Sequence, residues 1–395
     1  MSYLKFNFVA DCILNGKAYP ALAQHQAAPY TPAWREFVQH WPYTVPCELV
    51  EHCAEFSVPY RLYSINDDYP RDSYYIIGIG FFDFTVDYFG LMSDQVQDAL
   101  KENRLRVLFY YHEGDNPYHI KNRLDSLCAA WRLDSDCYRF ISGNTTADAI
   151  PGFIYFPDHE LLYWRRNRIL PTPVHVRPRG RDFTVLSRTH KWWRATAMAD
   201  LWRHNLLENS YWSYNTELFL NEPESDNPIE VDTLNIREDL PRFLNGAPYK
   251  CDTLTESQHN DHSIIESAHY TNSYCNIILE THFDADGSGG AFLTEKTFKA
   301  IKHGQPFIII GPPGSLATLR KLGYRTFDHL IDNNYDQETD NTRRWLMIVD
   351  AITQLKEKNL QTWFVKCQKD VVYNQQLFVS NKIDRLNRLL ERLKK

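Results

Sequence analysis

The sequence predicts an α/β protein made of two domains built on parallel sheets. Strand-like and helix-like runs alternate through the first 170 residues, and the alternation restarts at about residue 183. Between the two lies RILPTPVHVRPRGRDF, which has three Pro, several Arg and no apolar period, and so reads as a linker. At 395 residues the chain also exceeds one ordinary domain.

The elements follow in chain order. SYYIIGIGFFDF (residues 73–84) is rich in aromatic and β-branched residues and reads as a strand. RLRVLFYYHEGDNP (104–117) is a buried strand followed by a polar turn, and YRFISGNTTAD (138–148) repeats that pattern. SDQVQDALKEN and HIKNRLDSLCAAWRL carry apolar residues at helical spacing. After the linker, FTVLS is a strand, HKWWRATAMADLWRHNLLEN a helix with Trp193, Ala197, Leu201 and His204 along one side, and YWSYN a short strand or turn. Residues 221–250 are acidic and Pro-rich, an expected irregular insertion or lid. SYCNIILE, TEKTFKAIKHG, PFIIIG and SLATLRKLG then give strand, helix, strand, helix. NKIDRLNRLLERLKK places Ile383, Leu386, Leu390 and Leu393 on one helical stripe that must be covered. The expected division is 1–170, a linker 171–182, a second domain 183–365, and a helical segment 366–395 that packs back on the first domain.

Composition narrows the function. Hydrophobic residues at 43% and charged residues at 24% indicate a folded globule. Aromatics at 14% suit a core but also the faces of sugars and bases. A net charge of −7 argues against a bulk nucleic-acid binder and leaves room for local basic patches. The 8 Cys form no CxxC pair and read as the reduced thiols of a cytosolic protein. The start MSYLKFNFVADCILNG lacks the features of a signal peptide, and no run approaches the length of a membrane span. The expectation is therefore a cytoplasmic protein with no membrane partner.

GGAFLTEKTFKAIKHGQPFIIIGPPGS holds the most chemistry. Thr294 is a good N-cap and Gly304 is placed to end the helix it starts. Glu295 and Lys296 then fall in the first turn, where unpaired N–H groups and the helix dipole favour phosphate. Lys296 adds a charge for a diphosphate, Glu295 can accept from ribose hydroxyls, and Gly287, Gly289 and Gly290 allow close backbone approach. The same residues also describe a solvated helix start with an i,i+4 Glu295–Lys299 pair beside a mobile loop. There is no GxxxxGK[ST], and no GxGxxG after any strand, which argues against a P-loop and against a dinucleotide oxidoreductase.

YCNIILETHFDADGSGGAFLTEKTFKAIKHGQPFIIIGPPG resembles the donor-site signature of GT-B glycosyltransferases of the α1,3-fucosyltransferase type. It is still more similar to a group of phage-encoded and bacterial glycosyltransferase-like proteins that continue as GSLATLRKLGYRTFDHLIDNNYD. The resemblance covers about residues 183 to 336. It implies a GT-B architecture, two Rossmann-like domains facing across a cleft, with a nucleotide-sugar donor on the second domain. It also implies donor roles for Glu280, Thr294, Glu295, Lys296 and Gly311. A diphosphate-holding base on the first helix of that domain corresponds to Arg194, with Arg188 and Lys191 nearby. Residues 161–194 carry nine Lys or Arg and one Asp, an excess that suits an anionic donor. ETHFDADGSGG departs from the Glu-Asn-Ser segment of the fucosyltransferases, so the sugar is left open.

Transfer needs a stabilised diphosphate and a base for the acceptor hydroxyl. Arg194, Lys296 and a helix start could supply the first with no metal and no cofactor; Asp284-Ala285-Asp286 matches the letters of a metal motif or is simply an acidic loop. Glu113 and Asp115, past the carboxyl end of a strand, are the candidate bases, or members of a turn. His112 is an alternative, Asn144 a candidate acceptor contact or a loop cap, and Asp83 and Asp87 are weaker bases. His259 and His262 have metal-like spacing without a third ligand. Inversion follows from the resemblance and a single-displacement mechanism. The acceptor is a glycan, a small molecule or a hydroxymethylated base in phage DNA; the competing reading is a non-catalytic nucleotide- or sugar-binding protein on the same fold.

Overall fold

The computed structural model describes residues 5–14, 17–19, 48–80, 82–166, 170–216, 224–251, 267–284 and 290–394. The chain divides into two compact units, residues 1–161 with 381–395, and residues 162–380.

In chain order the first unit contains β1 (Phe6–Ala10), the hairpin β2 (Cys12–Leu14) and β3 (Lys17–Tyr19), α1 (Glu48–Glu55), β4 (Tyr60–Ser64), β5 (Tyr74–Ile79), α2 (Asp94–Lys101), β6 (Arg106–Tyr111), α3 (Pro117–Trp131), β7 (Tyr138–Ser142) and β8 (Phe153–Tyr155). α4 (Asp158–Arg166) begins in this unit and runs into the second. Six strands form one parallel sheet in the order β4-β1-β5-β6-β7-β8. Strand periodicity sends alternate residues to opposite faces. Val107, Phe109 and Tyr111 of β6 enter one apolar cluster with Val96, Leu100, Ile120 and Leu124 of α2 and α3. Leu108 and Tyr110 enter the other with Leu49 and Val50 of α1. Helices on both faces account for strands that read as continuous apolar runs.

The second unit contains β9 (Arg181–Ser187), α5 (Trp192–Arg203), β10 (Tyr211–Tyr214), α6 (Asp239–Gly246), α7 (Ser267–Thr271), β11 (Ser273–Leu279), α8 (Glu295–Lys302), β12 (Phe307–Ile310), α9 (Ser315–Lys321), α10 (Asn341–Lys356) and α11 (Leu360–Ser380). Its parallel sheet has the order β10-β9-β11-β12. α8 ends as its sequence requires. Gly304 takes φ +66°, and the Gln305 N–H reaches the Ala300 carbonyl at 3.0 Å.

α12 (Lys382–Leu393) returns to the first unit, burying Leu386, Leu389, Leu390 and Leu393 in the cluster that holds Phe6 and Phe8. The Tyr74 hydroxyl donates to the Leu393 carbonyl at 2.6 Å. The expected stripe is shifted, because Ile383 is 51% exposed. Its turn instead buries Lys382 and Arg385 against the carboxylate of Glu160.

Two other expectations change. The boundary between units lies at 161/162, and the stretch expected as a linker belongs to the second unit. There Arg179 donates to the carbonyls of Tyr270 and Ser273 and covers the Phe364 ring. The described part of the acidic insertion is a core segment, not a lid: Ile229, Leu234, Ile236, Leu240 and Phe243 are buried in the second unit's core. Its apolar residues are few but all are used.

Candidate functional site

In a parallel α/β sheet, ligands gather at the carboxyl ends of the strands where the strand order reverses direction. In the second unit β10 lies on one side of β9 and β11 on the other, so the reversal falls between β9 and β11. The two connections that leave this point are residues 188–191, leading into α5, and residues 280–294, leading into α8. Arg188, Lys191, Glu280, Thr294, Glu295 and Lys296 all lie on these connections or the first turn after them.

Glu280 is fully buried at the end of β11 and holds α8 to the sheet. Its carboxylate accepts from the Thr294 hydroxyl (2.5 Å), the Thr294 amide (3.2 Å) and the Thr297 hydroxyl (2.6 Å). It therefore positions the helix start and does not meet a donor through its side chain. At Gly311 a Cβ would crowd Ser315 Oγ at 3.1 Å and touch Glu280 Cβ at an ordinary 3.5 Å. Glu280→Ala would strand three buried donors. We expect it to lower the unfolding free energy by roughly 3 kcal/mol, read by denaturant titration. Unchanged stability would return Glu280 to the ligand-contact role.

Thr294 is the N-cap of α8, its hydroxyl accepting from the Lys296 amide. The Lys296 ammonium sits 3.1 Å from Thr294 Oγ1, 3.3 Å from Thr281 Oγ1 and 3.5 Å from Glu295 Oε1, with its side chain 29% exposed. Glu295 is largely buried, and its charge helps raise the phenols of Tyr163 and Tyr270, both lifted first by burial. Arg188 opposes the shift at Tyr270.

Arg194 is engaged by the protein itself. It is 4% exposed and donates to the carbonyls of Glu280 (2.6 Å) and Thr189 (3.2 Å), cross-linking the two connections. Half-buried Arg188 and Lys191, with Lys296, are then the cations placed to meet an anion. Lys191 is the N-cap of α5 and makes no side-chain capping bond, so that helix start is not filled by its own cap. The start of α9 differs: Asp336 accepts the amides of Leu316 (2.8 Å) and Ala317 (2.9 Å).

Sequence reading missed two of these features. Asp336 looks like a turn residue in NNYDQ, and only folding brings it to α9. Arg344 of α10 is 1% exposed, stacks 4.2 Å over Phe283 and donates to its carbonyl. Burial lowers its pKa to about 10. It braces the residues that follow β11, and nothing in NTRRWLMIVD marks it. Gly287, Gly289, Asp286, His259 and His262 lie outside the described residues.

In the first unit Glu113 and Asp115 follow β6. Glu113 is half-buried, its side chain 34% exposed, and its Oε1 lies 3.3 Å from His112 Nε2. Asp115 accepts the Tyr111 phenol. His112 is buried, with Nδ1 3.2 Å from Glu48 Oε2. Burial opposes its charge, but Glu48 and Glu113 outweigh that and hold its pKa well above the usual imidazole range. It is thus a buried partner of both Glu48 and Glu113. Asn144 is likewise structural. It caps the turn at Thr145–Ala149 and donates to the Gly114 carbonyl at 3.0 Å. Asp83 and Asp87 cap their own turn, Asp87 also accepting from Trp131. Sequence reading also passed over Asp11, at the reversal between β1 and β5, which accepts from Tyr75 and from Ser93 (2.6 Å). Beneath His112, Asp158 accepts from His52 Nε2 (2.7 Å) and the Tyr110 phenol.

No family model matches the chain, and no curated protein matches it. Several solved structures are distantly similar. One is described as a GtfA/B complex, with 12% identity and a TM-score of 0.35, covering 76% of this chain. The chain spans 60% of that structure's length. Another is an alpha1,3-fucosyltransferase, with 8% identity and a TM-score of 0.30, covering 97% of this chain and 91% of its own. Among the described residues no helix is long and apolar enough to cross a membrane.

Proposed function

We propose that the chain is a glycosyltransferase that moves a sugar from a nucleoside diphosphate to a hydroxyl acceptor. One observation carries this reading. Arg188, Lys191 and Lys296 are gathered on the two strand-to-helix connections that flank the strand-order reversal of the second unit's sheet. Cations and helix starts at that point suit a diphosphate. The Thr294-Glu295-Lys296 helix start, which resembles the donor signature of the fucosyltransferase type, adds to it. Glu295 is the acid for the ribose.

In the proposed reaction the acceptor oxygen attacks the anomeric carbon as the bond from that carbon to the diphosphate oxygen breaks. The electron pair leaves with the diphosphate, where Lys296 and Arg188 stabilise the growing charge. The acceptor proton passes to Glu113, a partly exposed carboxylate just past β6. Attack from the face opposite the diphosphate inverts the anomeric centre. The acceptor is a hydroxyl of a glycan, of a small molecule or of a hydroxymethylated base in DNA.

Thermal stability with UDP, GDP, TDP and ADP tests the donor half. A ligand at 100 times its dissociation constant adds about 2.7 kcal/mol. One base is expected to give a clear shift, and Lys296→Ala to weaken that binding roughly 10- to 100-fold through loss of a charged hydrogen bond. No shift with any nucleotide would end the reading. Binding without transfer to any hydroxyl acceptor would make the chain a nucleotide-sugar binder.

A further inference from the structure

We propose that Glu48, His112 and Asp158 form a binding site for a divalent transition-metal cation, Zn2+ or Mn2+, in the first unit. The three come from separate elements: Glu48 opens α1, His112 follows β6 and Asp158 opens α4. Each offers one ligand atom, and these atoms lie within 4.8 Å of one another. All three side chains are buried, at 6%, 7% and 1% exposure. Solvated acids often cluster on a surface with no ion between them. Two acids and an imidazole removed from water are a different case, because a buried charge demands a partner.

Asp158 supplies the second observation. His52 and Tyr110 both bind its Oδ1, whereas Oδ2 is buried with no hydrogen-bond partner among the described residues. That is the oxygen left for a cation. The surroundings have the form of an outer coordination shell. His52 and Tyr110 orient the Asp158 carboxylate, and Glu113 lies at His112 Nε2 while Nδ1 faces Glu48. A metal-binding imidazole typically gives its other N–H to such a carboxylate. One nitrogen and two carboxylate oxygens suit Zn2+ or Mn2+ better than the all-oxygen sets of Mg2+ and Ca2+. The sequence-level expectation of no metal concerned the diphosphate, whose proposed residues all lie in the second unit; this cation would tie α1, β6 and α4 together in the first. The inference stands whether or not the chain transfers sugar.

The test uses the full chain, stripped with EDTA, reloaded with Zn2+ or Mn2+, desalted and assayed for metal by mass spectrometry, with circular dichroism to confirm folding. The expected result is close to one cation per chain and a raised melting temperature. Asp158→Asn and Glu48→Gln should each retain less than about a fifth as much. Should either fail to fold, His52→Gln, which alters only the outer shell, should weaken affinity roughly 10- to 100-fold. Less than about a tenth of a cation per chain with both metals would overturn the proposal, as would equal uptake by the wild-type chain and all folded variants.

Discussion

Replacing Glu160 by glutamine is expected to lower the stability of the first unit by roughly 3–5 kcal/mol. The Glu160 side chain is fully buried. It faces Lys382 Nζ at 3.4 Å and Arg385 Nε at 3.1 Å, and it accepts from Asn381. Lys382 and Arg385 are themselves 2% and 8% exposed. Removing the acid leaves two cations in a low-dielectric setting, and that uncompensated charge dominates the cost. The helix should nevertheless stay docked. Four buried leucines of α12, at roughly 1.5–3 kcal/mol each, outweigh the penalty. Arg392 of the same helix pairs with Asp148 at 2.6 Å, but those side chains are 37% and 47% exposed. Arg392→Gln should therefore change stability by no more than about 1 kcal/mol. Denaturant midpoints of the two variants decide the matter. Similar midpoints would show that Glu160 and its cations remain solvated in solution.

Glu113→Gln is expected to reduce turnover roughly 10²- to 10⁴-fold, the range for loss of a general base. Nucleoside diphosphate binding should be unchanged, because the proposed donor residues all lie in the second unit. The fold should also survive, since the side chain is 34% exposed and glutamine can still meet His112. Asp115→Asn serves as the comparison. Its carboxylate accepts the Tyr111 phenol, so its effect should fall on stability more than on rate. The decisive measurement is single-turnover transfer from the donor that the nucleotide panel identifies. Full activity in Glu113→Gln would move the base elsewhere, with Asp11 at the other strand-order reversal the next to test.

Local patterns carried far in this chain. β5, β6, β7, β9, β11 and β12 were legible as apolar runs between turns, and α8 as a stretch with an N-cap and a terminating glycine, because each is specified by neighbours a few residues apart. The position of Glu295-Lys296 in the first turn of α8 was legible for the same reason. The division of labour within the site was not. Glu280 and Arg194 read as donor contacts because an acid at a strand end and an arginine at a helix start are the right types in the right places. Whether such a side chain meets a ligand or the protein depends on which polar groups crowd it. Glu280 meets Thr294 and Thr297, 14 and 17 residues away, and Arg194 reaches a carbonyl 86 residues away.

By itself the sequence determined the alternating α/β order, the amphipathic last helix and the helix start at Thr294, all set by periods and caps of short range. Tertiary structure alone decided that α12 buries Lys382 and Arg385 where Ile383 was expected, that Asp336 fills the start of α9, and that Glu48, His112 and Asp158 meet. Those outcomes rest on burial and charge pairing between distant segments, and a partner 20 to 225 residues away leaves no periodic trace in the chain.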